Sequence, residues 1–124
     1  YTKRKFDFTF TPHLSPMFRG ILTTTYVDLN KGKTINGLHN ELVKFYKESI
    51  FIKVLDPNTL VSTNDVINTN NCVISICKSK YNNKAIILSS IDNLIKGGAG
   101  QAIQNMNILN DFNVKEGLRW KKSF

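Results

Sequence analysis

Three glycines, Gly97, Gly98 and Gly100, interrupt an otherwise helical pattern in residues 91–107, IDNLIKGGAGQAIQNMN. Inside a helix each costs about 0.5–1 kcal/mol relative to alanine, so local stability does not explain three within four positions. They strip side chains from one turn, which admits either a second backbone or a ligand at close range. Beyond them, Gln101, Gln104 and Asn105 follow i, i+3, i+4 spacing and form an amide face. Ala102, Met106 and Leu109 supply an apolar stripe expected to meet the core. An uncharged amide face suits another amide, because each group both donates and accepts. Residue chemistry alone favours the plainer account, a close-packing notch with a solvated polar face.

Strand and helix signals precede this segment. Residues 6–10, FDFTF, alternate aromatic and polar side chains and predict a half-buried strand. Pro12 and Pro16 bracket His13 in a stiff loop that delivers Arg19 and Gly20 to the next element. Residues 21–29 are β-branched and aromatic and predict a second strand. Thr34 or Asn36 can cap a helix running to Ser49, with Leu38, Leu42, Phe45 and Tyr46 on its dry side. Residues 51–55 read as a short strand closed by Asp56-Pro57-Asn58. Residues 62–71, STNDVINTNN, read as a loop, with at most one short strand. Residues 72–78 and 84–89 read as strands joined by a hairpin at Tyr81-Asn82-Asn83. Asp92 or a neighbour starts the last helix, which runs toward Leu109 or Phe112.

The order β-β-α-β-loop-β-β-α predicts an α+β fold: a mixed, mainly antiparallel sheet with helices on one face. No βαβαβ series is visible. GGAG lies within or before a helix and not directly after a strand, so the chain carries no dinucleotide-binding Rossmann unit of its own.

The 124 residues, 41% of them hydrophobic, suit one domain with one core. Opening on Tyr1, the sequence reads as a single partial domain, residues 1–124, of something longer. No apolar run reaches membrane-spanning length, and the basic start YTKRKFDF lacks the apolar stretch of a secretory signal, so a cytoplasmic protein without membrane contact is expected. The net charge of +8 admits an anionic partner. The lysines are scattered, however, and no nucleic-acid-binding signature accompanies them, so nucleic acid is not expected. Cys72 and Cys77 stand an odd number of residues apart in a strand, hence on opposite faces. They cannot easily pair or share a metal, and they fit buried thiols in a reducing compartment. There is no Ser-His-Asp trio, HExxH, P-loop or paired-carboxylate pattern. Asp92 and Glu116 look isolated.

Arg19 offers a planar fork for carboxylate or phosphate oxygens, beside a glycine that permits close approach. His13 alone is more often a packed loop residue than a base.

Three stretches, FTPHLSPMFRGIL at 10–22, TNDVINTNNCVISI at 63–76 and IDNLIKGGAGQAIQNMN at 91–107, together and in this order resemble the N-acetyl-gamma-glutamyl-phosphate reductases, NADPH-dependent semialdehyde dehydrogenases of arginine biosynthesis. The resemblance implies a fold like the C-terminal domain of glyceraldehyde-3-phosphate dehydrogenase-like proteins. It also implies a homo-oligomer formed through the sheet, and a helix over residues 91–112 that packs on a missing NADP-binding domain. The implied reaction reduces N-acetylglutamyl 5-phosphate, an acyl phosphate, through a cysteine thioester. That cysteine and the histidine base belong to motifs this chain does not contain, so neither Cys72, Cys77 nor His13 inherits a catalytic role and the chain alone is expected to be inactive. On the same resemblance Arg19 and His13 become candidate substrate contacts, and Gly97, Gly98, Gly100, Gln104 and Asn105 candidate contacts to NADP. No metal is implied. A related reductase of a carrier-protein-linked aminoadipyl phosphate, and a non-enzymatic dimerisation or binding module of the same fold, remain alternatives.

Overall fold

In a computed structural model, residues 7–119 are described. Strand β1, Ile21–Asp28, runs antiparallel to β4, Lys84–Ile91, with Ile21 opposite Ile91 and Asp28 opposite Lys84. An ion pair of 2.7 Å between Lys84 Nζ and Asp28 Oδ1 closes that end. β4 in turn pairs antiparallel with β3, Cys72–Lys78, and β3 pairs parallel with the three-residue β2, Ile52–Val54. The sheet order is therefore β1-β4-β3-β2, mixed and mainly antiparallel, as the α+β reading requires.

Helix α1, Ile35–Phe45, starts where the sequence allowed: the Thr34 hydroxyl accepts the Gly37 amide at 3.1 Å. It packs against β2 and β3. It stops at Phe45 and not at Ser49, because Tyr46 leaves helical dihedrals and a turn from Tyr46 to Ser49 redirects the chain into β2. Phe45, expected on the dry side, is 76% exposed and meets only the edge of Tyr46 in a ring contact.

The central strand explains where the core lies. β3 buries Val73, Ser75 and Ile76, and β4 buries Ala85 and Ser90. Val73 and Leu88 join Val61 and Val66 from the 61–66 segment, plus Leu55, in one cluster. That segment, read as a loop, contains a one-turn 3-10 helix, Thr63–Asp65, closed by a capping box between Ser62 and Asp65.

Two further expectations fail. Residues 7–10 form no strand, and Phe8 and Phe10 stand exposed; Phe6 lies outside the described residues. Alternation makes a strand only where a neighbouring edge receives it, and β1, an edge strand, keeps its outer edge unpaired among the described residues. β1 itself is exposed at every position but Val27. The second failure is the apolar stripe of the last helix. Ala102, Met106 and Leu109 face solvent, Leu109 at 83% exposure, while Gly100 and Asn107 are the buried positions. Asn107 is turned inward, where its Nδ2 donates to the carbonyls of Val114 (3.3 Å) and Glu116 (2.9 Å), tying down the following loop. Cys72 and Cys77 are both free thiols, on opposite faces of β3.

Candidate functional site

β4 ends at Ile91, and the next residue, Asp92, is fully buried. Its Oδ1 accepts the backbone amides of Leu94 (2.9 Å) and Ile95 (3.0 Å), the usual service of an aspartate at a helix start. Its Oδ2 accepts the amide of Asn68 at 2.8 Å, offered by a residue in the left-handed region (φ 61°), which asparagine tolerates. Arg19 Nε completes the set, 2.8 Å from Oδ2 and 3.0 Å from Oδ1. Beside it the Gly20 amide donates to Asn93 Oδ1 at 2.9 Å. Gly20 has φ 114°, and a Cβ there would lie 2.7 Å from the Thr63 side chain. Only glycine fits. One carboxylate thus gathers the proline loop, the asparagine-rich segment and the glycine helix. Burial alone would raise its pKa; the hydrogen bonds from Asn68, Ile95, Arg19 and Leu94 outweigh that and hold the Asp92 carboxyl below the ordinary carboxylate range.

The Arg19 side chain is 20% exposed. Asp92 engages its Nε, so the two terminal nitrogens keep a free fork among the described residues, the part that reads a carboxylate or phosphate in two parallel bonds. His13 is not brought to this centre. It is exposed, with Nδ1 3.1 Å from the Thr11 carbonyl.

The glycine segment is not one α-helix. Ile95–Ala99 forms a π turn, with Gly97 N bonded to Asp92 O and Ala99 N to Leu94 O, and helix α2, Gly100–Leu109, follows. Gly98 departs from helical dihedrals (φ −148°, ψ −112°), so two of the three glycines serve a wide turn, not a regular helix. The glycines then divide. Gly97 and Gly98 are exposed. Gly100 is buried, and a Cβ there would stand 2.5 Å from both Asn70 Oδ1 and Ile95 Cγ2. That position is a close-packing notch already filled by protein.

The amides divide too. Gln101 Nε2 donates to Asn105 Oδ1 at 2.8 Å on the outer side. Gln104 Oε1 faces inward and accepts both Asn70 Nδ2 (2.9 Å) and Lys96 Nζ (2.8 Å). As a test of fit to a nicotinamide, Gly97, Gly98 and Asn105 are each exposed and uncharged, although Asn105 Oδ1 already accepts from Gln101. Gly100 and the Gln104 oxygen are occupied from within. Asn70, Lys96 and Asn107 escaped the sequence reading, which named Asp92 only as the start of the last helix. Only Asp92 gave a signal, as a capping residue directly after a β-branched strand.

Residues 1–93 match the family described as semialdehyde dehydrogenase, dimerisation domain. The chain belongs to that family. A relative from Thermoanaerobacter pseudethanolicus, named N-acetyl-gamma-glutamyl-phosphate reductase, is 46% identical over 112 residues, covering 90% of this chain and 32% of its own length. Two relatives of the same name from Staphylococcus aureus strains are 46% and 47% identical over 110 and 109 residues, again 32% of their length. This dimerisation domain therefore spans about a third of the curated relatives it matches. Among the described residues no helix is long and apolar enough to cross a membrane.

Proposed function

We propose that this chain is the substrate and dimerisation portion of an N-acetyl-gamma-glutamyl-phosphate reductase. The complete enzyme would reduce N-acetylglutamyl 5-phosphate to N-acetylglutamate semialdehyde and phosphate, in the cytoplasm, as a step of arginine biosynthesis. NADPH, held by a separate domain, would supply the hydride. The observation that carries the reading is the 46% identity to a reductase over 90% of the chain.

The geometry supports a division of labour. Arg19, anchored through Nε, offers its free fork to an anionic group of the substrate. Gly97, Gly98 and Asn105 give the nicotinamide side of the pocket an approach without charge or bulk. The outward stripe of Ala102, Met106 and Leu109 supplies the apolar surface that a cofactor domain would cover, and exposed β1 supplies a surface for a second copy. Gly100 and Gln104 contribute by packing from inside, and His13, on an exposed loop, would reach substrate only at the pocket rim. In this reading the nucleophile lies outside this chain; burial pushes the Cys72 thiol up in pKa, which disfavours its thiolate, although Lys96 opposes the shift.

A chimera tests this. The matched segment of the Thermoanaerobacter relative is replaced by this chain, and NADPH oxidation is followed with N-acetylglutamyl 5-phosphate. Turnover by the chimera, none by the isolated chain, and a raised KM in Arg19→Met are expected. A chimera that folds and binds NADPH but never turns over would sink the assignment, and turnover by the isolated chain would refute the claim that the nucleophile lies elsewhere.

A further inference from the structure

A cavity of about 230 Å³ opens between the turn after α1, the start of β2 and the inner side of the glycine segment. Its polar lining comes from Glu48, Ser49, Lys96 and Gln104, and Phe51 gives it an apolar wall. Lys96 is half-buried there. Its ammonium donates to Gln104 Oε1 and lies 5.4 Å from the centroid of the Phe51 ring, itself 3% exposed. Among the described residues no carboxylate pairs with it. The Gln104 oxygen is shared with Asn70, so neither partner neutralises the charge. Two of its three N–H donors remain for the space it lines. Burial lowers the Lys96 pKa, with the neighbouring Cys72 opposing, the signature of a cation held in poor solvent.

We propose that this cavity binds a small organic monocarboxylate, its oxygens on the Lys96 ammonium with Ser49 and Gln104 as flanking donors, and its carbon chain against the apolar lining of Ile50, Ile52 and Val114. One ammonium balances one carboxylate. A phosphate dianion fits less well, because a second negative charge would add to the repulsion from Glu48, which also lines the cavity, with no second cation among the lining residues to offset it. The volume admits a chain of a few carbons but no nucleotide. The proposal does not rest on the reductase assignment, since every residue it names lies in this chain.

The test is a titration of the chain with butyrate and, separately, inorganic phosphate, read by the backbone amide shifts of Phe51, Lys96 and Gln104. Butyrate should saturate in the millimolar range. Its affinity should fall at least tenfold in Lys96→Gln and stay within about threefold in Lys96→Arg, which keeps the charge. Shifts dispersed over the whole spectrum of Lys96→Gln report folding and allow the comparison. Butyrate shifts that never saturate, equal affinity in Lys96→Gln, or phosphate binding as tight as butyrate would each overturn the proposal. Failure here leaves the chimera result untouched.

Discussion

Arg19 and Asp92, 73 positions apart in sequence, meet through a single nitrogen: Nε of the guanidinium sits 2.8 Å from Asp92 Oδ2. The carboxylate is fully buried and also holds three backbone amides, so it cannot turn away to follow the arginine. The pair fixes the arginine's stem and leaves its terminal fork to read another group. A bidentate fork-to-fork pair would have consumed those donors. This one-sided contact makes Arg19 usable in a binding site and makes Asp92 the structural keystone of three separated segments.

Removing the Asp92 charge should therefore be severe. Asp92→Asn keeps an acceptor but leaves a mostly buried guanidinium without a counter-charge, and breaking such a pair costs about 3 kcal/mol. Asp92→Ala also removes the cap, worth about 1 kcal/mol more. The urea midpoint should fall in that order at unchanged m-value. A midpoint for Asp92→Asn within experimental error of the parent would show that the pair carries no weight.

The same group predicts an acid limb. Its carboxyl pKa is lowered in the folded state, from an ordinary value of 3.8. The folded state thus binds fewer protons than the unfolded one between the two values, and stability falls as pH drops. The contribution is complete above about pH 5, and is lost through the lowered folded-state value. Denaturation at a series of pH values should show this loss in the parent and a shallower one in Asp92→Asn. Equal slopes would place the acid limb on other carboxylates.

The three glycines should respond differently to alanine. At Gly100 the added methyl meets Asn70 and Ile95, buried atoms with little room to move, for a cost of about 2 kcal/mol. At Gly98 the nearest atom, the Asn93 carbonyl, is 3.4 Å away, and the position is exposed, so Gly98→Ala should cost less than Gly100→Ala. If Gly97 and Gly98 face a nicotinamide, Gly98→Ala in the chimera should instead raise the KM for NADPH. Thermal melting separates the two roles: Gly100→Ala lowers Tm more than Gly98→Ala does.

Much of the fold was legible in the sequence because its strands and caps are local signals. The β-branched run of β1, the Thr34 cap and the Tyr81–Asn83 hairpin all depend on neighbours within a few residues. Two misreadings share a different cause. Phe45 and the Ala102, Met106 and Leu109 stripe have the right period for a core, but period reports only that a face is apolar, not what covers it. In the described residues nothing does. The Asp92 centre was illegible for the converse reason. Its partners Asn68 and Arg19 come from 24 and 73 positions away, a distance at which one aspartate has no pattern, and the inward Gln104 and Asn107 violate the rule that apolar residues face in.

That outward apolar surface leads to the last prediction. β1 is an edge strand with Leu22 and Tyr26 exposed on one face, Tyr26 at 69%, and with its outer edge unpaired among the described residues. Large apolar side chains on a free sheet edge are an association surface unless charge protects them. Tyr26→Lys places a charge there without touching the Val61, Val66 and Val73 cluster. Its effect on the stability of a monomer should stay within about 0.5 kcal/mol, as for surface changes away from packed features. Sedimentation across a tenfold concentration range should find the parent chain self-associated and Tyr26→Lys monomeric or markedly weaker. A parent that stays monomeric throughout would remove β1 as the dimer surface. Loss of association in Leu109→Lys but not in Tyr26→Lys would move that surface to the outer face of α2.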